Sequence, residues 1–312
     1  MALRAQGQAA GGGIPPAWAY PQTPASFKQA ADPAPRKVPG STQSYTLAQI
    51  TDPFNAVDWH ADHPKMPNVV AKGRKPDVKA CAYCHLPNGL GRPETAYLAG
   101  QQAAYIEQQL GEFKSGNRRS ALPQQTTIMS TIAKALTPAE MKEAAAYFAA
   151  LPPKPWVKVV EAAMVPKTVV VGDNIRVPAT PAAMEPIGDR IIEVPENPAQ
   201  TLNHDSHSGY IAYVPPGSLK RGEDLVKTGG AKMEGGKMVT GPTVACATCH
   251  NTDLKSGLIP GVPSIAGKSP TYLFRQLSDL KRGTRTGAVA LLMQPTVQNL
   301  QPADMIALAA YV

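Results

Sequence analysis

Two stretches of the 312-residue chain carry the same apolar rhythm. Tyr105, Ile106, Leu110 and Phe113 fall at helical spacing, and so do Tyr272, Leu273, Leu277 and Leu280. Each stretch is followed by a glycine, Gly116 or Gly283, of the kind that ends a helix. Further on, Thr137-Pro138-Ala139-Glu140 reads as the N-cap, first-turn proline and capping-box glutamate of a second helix, closed by Pro152-Pro153. Gln301-Pro302-Ala303-Asp304 is a weaker copy, opening a helix that runs into Val312. That copy has no counterpart of Phe148 to Leu151, and a helix end needs a cap or breaker, so residues beyond Val312 are expected.

These matches belong to a longer internal repeat. At an offset of 167, Ala99-Gly100 meets Ala266-Gly267, Gln109-Leu110 meets Gln276-Leu277, and Lys114, Gly116 and Arg118 meet Lys281, Gly283 and Arg285. The offset then becomes 164, pairing Met129 with Met293, Leu136 with Leu300, Met141 with Met305 and Ala145-Ala146-Tyr147 with Ala309-Ala310-Tyr311. Prolines crowd residues 15–67 and 152–216, outside the repeat, which marks an N-terminal extension and an interdomain segment. Within the latter, residues 158–161, 168–171 and 210–214 read as short strands, so the segment is expected to be a strap packed on its neighbours. The partition is therefore 1–65 extension, 66–153 first domain, 154–215 strap and 216–312 second domain. Each half carries its own helix pair and is expected to be a separable folding unit.

Composition narrows the picture. Glycine and proline together make 58 residues, too few for disorder throughout. No apolar run of 18 residues occurs, so no transmembrane helix is predicted. Residues 1–13 lack the apolar core of a signal peptide, with Ala5-Gln6-Gly7-Gln8-Ala9-Ala10 a weak candidate for the tail of a cleavage region; either a signal was removed or the recorded start is truncated. The formal charge of +8 comes with no Lys/Arg block, which points away from nucleic acid and leaves an acidic protein partner or a merely solvated surface.

All four cysteines lie in two copies of one motif, Cys81-Ala82-Tyr83-Cys84-His85 and Cys246-Ala247-Thr248-Cys249-His250. C-x-x-C-H is the sequence of covalent c-type haem attachment: both thiols become thioethers and the histidine is the proximal iron ligand. A zinc site from two C-x-x-C pairs would want them about 15–20 residues apart, and 161 residues separate Cys84 from Cys246. A thioredoxin-like motif would want a βαβ setting, which the helix-and-loop flanks lack. Two haem c groups are expected, whose four propionates would lower the charge to about +4. Each small domain would lean on its porphyrin for much of its core.

The motif, the amphipathic helix, a methionine seven residues before the repeated leucine, and the final Ala-Ala-Tyr helix together resemble the small soluble class I cytochromes c, and their duplication resembles the tandem di-haem members. The resemblance covers about 185 positions, leaving out residues 1–65 and 154–215. It implies a mainly α fold of two cytochrome c domains. It implies also that Met129 and Met293, in loops before the last helices, are distal ligands that raise the potential and close both irons to substrate. His85 to Met129 is 44 residues and His250 to Met293 is 43. His60, His63, His204 and His207 form two pairs with a tempting metal spacing, but their setting favours turn hydrogen bonds. The function implied is single-electron transfer between extracytoplasmic redox proteins in the periplasm. The chain would serve as a soluble carrier or as the cytochrome subunit of a dehydrogenase complex, with an oxidase or another cytochrome as acceptor. The enzyme alternative is a di-haem peroxidase, which needs one open iron; a redox-sensing or scaffold role is the remaining one.

Overall fold

Thr137 caps the Pro138–Ala150 helix as predicted, its hydroxyl accepting from the Glu140 N–H while the Glu140 carboxylate accepts from the Thr137 N–H at 2.8 Å. The protein's structure is a computed structural model that describes residues 14–312; the stretch Ala5 to Ala10 lies outside the described residues. The Ala103–Ser115 helix ends at Gly116 in the left-handed region, φ 79°, and the Pro270–Lys281 helix is followed by Gly283 at φ 67°. Ile106, Leu110, Leu136, Ala145 and Phe148 form one core with Val70 and Tyr97. Phe274, Leu280, Leu300, Ile306 and Leu308 form a second core with Leu225. That leucine comes from the Ser218–Thr228 helix, which crosses the Pro302–Tyr311 helix at Gly222. A Cβ at Gly222 would sit 2.1 Å from the Ala307 carbonyl oxygen, so only glycine allows that approach.

The mainly α expectation holds for the two halves but not for the segment between them. Strands Val157–Glu161, Thr168–Val170 and Tyr210–Val214 appear where alternation predicts them. Met164–Pro166, Arg176–Pro178, Met184–Pro186 and Ile192–Pro195 were not legible, being three or four residues long and each ending in proline. Tyr210–Val214 is the centre of a three-stranded sheet, parallel to Val157–Glu161 and antiparallel to Ile192–Pro195. Its Tyr210 joins the first core while Ala212 and Val214 join the second. The strap is thus a wedge between the halves.

The N-terminal extension is also packed in. Trp18 packs against Phe274, ring centroids 4.5 Å apart and planes tilted by 48°. Tyr20 is buried in the second core, its hydroxyl donating to Asp279 at 3.2 Å, and Arg275 Nη1 donates to the Ala19 carbonyl at 2.9 Å. The second half, expected from the repeat to be separable, shares its core with residues of both extension and strap.

Lys268 is buried where the halves meet, its ammonium 3.6 Å from the centroid of the Tyr97 ring. Burial pushes its pKa down to about 7 from the ordinary 10.5. Between those values the unfolded chain holds the proton and the folded chain does not, so stability rises with pH across the window from about 7 to 10.5. Below it both states are protonated and the cost of the buried charge is fully present. In guanidinium unfolding, Lys268→Met should raise stability at pH 7 and remove a slope of up to about 1.4 kcal/mol per pH unit. Equal slopes for both proteins would contradict this.

Candidate haem sites

The first motif is a single helical turn, Cys81–His85, and the second, with Cys246 as N-cap, is Ala247–His250. The residue after each histidine, Leu86 or Asn251, takes a left-handed φ of 59° or 63°, which turns the chain sharply around the imidazole. His85 Nδ1 then donates to the Ala96 carbonyl at 2.8 Å and His250 Nδ1 to the Pro263 carbonyl at 2.9 Å. These bonds fix the tautomer that leaves Nε2 with its lone pair, as a metal-bound histidine requires. Burial lowers both imidazole pKa values, that of His85 to about 4, so the rings are neutral. Burial likewise pushes the Cys81 thiol up to about 12 and Cys246 up to about 11. No disulfide joins the cysteines.

Met129 packs against the same core as Cys81, and Met293 against the same core as Cys246. Their local setting corrects the loop expectation for Met129 and keeps it for Met293. Met129 lies within a twelve-residue helix, Gln124–Ala135, whose Met129, Ile132 and Ala133 follow one inward face. Gly287 and Pro295 break the equivalent region into Ala288–Leu291 and Gln294–Val297, with Met293 at the junction. Met305 is buried and Met141 half-buried, both on the last helices as expected.

Residues equivalent in the repeat touch one another across the molecule. Arg118 and Arg285 form an antiparallel bridge. Arg118 donates to Gln109 at 2.8 Å and Gln276 at 3.3 Å, while Arg285 donates to Gln276 at 3.1 Å and Gln109 at 3.0 Å. This is the reciprocal pattern of a two-fold contact made within one chain. Both guanidinium groups are buried, and among the described residues neither has a carboxylate within ion-pair distance. Arg285 Nε and Arg92 Nε are enclosed and have no hydrogen-bond partner among the described residues. The chain therefore offers what haem c needs: paired thiols, a neutral imidazole with a free Nε2, a thioether on the same core, and buried cationic donors suited to carboxylates.

The surroundings of the two motifs differ. Residues 85–93, following the first, are all buried. Tyr83 packs at 5.0 Å against the strap's His204, Arg92 lies 3.6 Å from Asp173, and Asn88 donates to the Ser206 carbonyl. Around the second motif Thr248, Val244, Leu258, Ile259, Leu291 and Leu292 are exposed. The Leu258 N–H donates to the Cys249 carbonyl at 2.9 Å, which holds that loop beside the motif. Nothing in the motif itself signals this asymmetry, because the cover comes from segments remote in sequence.

The sequence is similar to known c-type cytochromes. The cytochrome c family model matches residues 70–152. Cytochrome c-554(548) of Halomonas halodenitrificans is 41% identical over 66 residues, 21% of this chain and 78% of that protein. Cytochrome c4 of Stutzerimonas stutzeri is 27% identical over 149 residues, covering 45% of this chain and 67% of that one. A thiosulfate dehydrogenase electron acceptor of Thiomonas intermedia is 24% identical over 238 residues, 76% of this chain and 78% of its own length.

Proposed function

The chain belongs to the cytochrome c family, and on that footing we propose that it is a two-haem protein passing single electrons between extracytoplasmic, periplasmic redox partners. One haem c would be held by Cys81, Cys84 and His85 with Met129, the other by Cys246, Cys249 and His250 with Met293, in domains 66–153 and 216–312. The haem supplies the one-electron couple; the chain supplies ligation, burial and access. The observation that carries this reading is the duplicated Nδ1 hydrogen bond, which prepares both histidines alike as ligands. A methionine on the same core in both halves leaves neither site specialised for peroxide, which disfavours the peroxidase.

Within this reading the exposed apolar rim of the second motif is the face that exchanges electrons with a partner, and the first haem is the covered one. The likeness to the Thiomonas electron acceptor favours a dehydrogenase as one partner, with the chain as carrier or bound subunit. Among the described residues no helix is long and apolar enough to cross a membrane.

The test combines ligand and oxidant. Fully reduced protein should bind no carbon monoxide, react slowly with hydrogen peroxide and be oxidised rapidly by a soluble redox protein in stopped flow. Intact mass after acid-acetone extraction should retain two haem increments. Saturable peroxide turnover, preceded by one haem becoming high-spin, would replace the carrier with the peroxidase.

A further inference from the structure

Outside the two haem halves, residues 58–63 of the extension meet residues 203–207 of the strap. Trp59 Nε1 donates to the Asn203 carbonyl at 2.8 Å. His60 Nε2 lies 2.8 Å from Asp205 Oδ1, and His207 Nε2 lies 3.1 Å from Asp62 Oδ2. Asp205 is 0% exposed and His60 8%, so this pair is fixed; Asp205 also accepts from the His207 N–H at 2.9 Å and the Gln200 amide at 3.1 Å. The two imidazoles lie face to face, centroids 3.6 Å apart and planes within 6°. One donor atom from each of His60, Asp205 and His207 falls within 4.8 Å of the other two.

We propose that His60, Asp205 and His207, joined by Asp62, bind a zinc ion that clamps the N-terminal extension to the strap. Two imidazole nitrogens and two carboxylate oxygens are all zinc ligand types and fill the four positions of a tetrahedral site. Calcium or magnesium would want more oxygen ligands and no imidazole. Stacked imidazoles direct their lone pairs side by side, and aromatic rings prefer an offset or edge-on contact to a sandwich. Turning one ring aims both nitrogens at a shared point. His207 is the ring free to turn, its side chain 44% exposed and held through one hydrogen bond to Asp62. The Lys154 ammonium, 3.1 Å from Asp62, holds a cation's place beside that carboxylate and would be displaced.

Such a clamp acts on the cover of the first motif. His63 Nδ1 lies 3.0 Å from the Tyr147 hydroxyl, which donates to the Pro87 carbonyl at 2.7 Å, and Ser206 accepts from Asn88 two residues after Pro87's neighbour Leu86. Binding to the folded chain alone would stabilise this roof.

The experiment uses the full-length, haem-loaded protein, washed with EDTA, then dialysed against zinc sulfate. Metal content is measured by mass spectrometry and affinity by calorimetry. One zinc per chain and a raised thermal midpoint are expected. His207→Gln, at an exposed position, and the isosteric Asp205→Asn should each weaken binding about tenfold or more. Lys154→Met should tighten it by removing the competing charge. Far-UV circular dichroism and the Soret band check that each variant is folded. Absence of zinc at excess metal, copper uptake without zinc, or His207→Gln and Lys154→Met both binding like the parent would overturn the proposal. None of these readouts depends on electron transfer.

Discussion

Residues 216–312 expressed alone, in a host that exports and attaches haem, are expected to aggregate rather than yield a soluble one-haem domain. The fragment keeps Cys246, Cys249, His250 and Met293 but loses Tyr20, Ile191, Ala212 and Val214 from its core, and Trp18 from the face of Phe274. Burying a side chain of this size is worth about 1.5–3 kcal/mol, and a whole domain is stable by only about 5–15 kcal/mol. Losing several at once removes most of the margin. Polar groups are stranded as well: Arg275 loses the Ala19 carbonyl, Ser269 loses Glu193 and Arg285 loses Gln109. Size-exclusion chromatography and the haem-to-protein ratio check the outcome. A monomeric fragment with one haem and a cooperative unfolding transition would show that the haem suffices to organise this half.

That expectation reverses the one drawn from the repeat, and the reason is physical. Local signals were legible: both C-x-x-C-H turns, the Thr137 capping box, the glycines closing the Ala103–Ser115 and Pro270–Lys281 helices and three strap strands all rest on neighbouring residues. The repeat even identified Lys114 and Lys281, whose ammonium groups donate to the equivalent carbonyls of Leu136 and Leu300. It could not show that Arg118 and Arg285 would touch, because equivalence is not proximity. Nor could periodicity show that Trp18 and Tyr20 fill a core more than 200 residues away, or that His60 would meet Asp205 rather than stabilise its own turn. Pairings of that range depend on the closed strap. The Gln124–Ala135 helix was missed for a different reason: its three threonines and serine are poor helix formers, and packing overrides that weak preference.

Met129→Ala and Met293→Ala should each halve the near-infrared sulfur-to-iron charge-transfer band of the oxidised protein and lower one reduction potential, on the order of 100 mV. A thioether favours ferrous iron, so its loss favours the ferric state. Each variant should also bind carbon monoxide at one iron once reduced, which the parent should not. The two sites should differ in ease of loss. Met129 is carried by a twelve-residue helix with its own backbone hydrogen-bond ladder, whereas Met293 sits between two four-residue helices beside the exposed Leu291 and Leu292. Mild denaturant should therefore weaken the band first by the Met293 share, and Met129→Ala should leave the more labile remainder. Met141→Ala is the control for the first half, since Met141 packs against the same core from the Pro138–Ala150 helix. If Met141→Ala removes half of the band and Met129→Ala does not, the distal ligand is carried by the last helix.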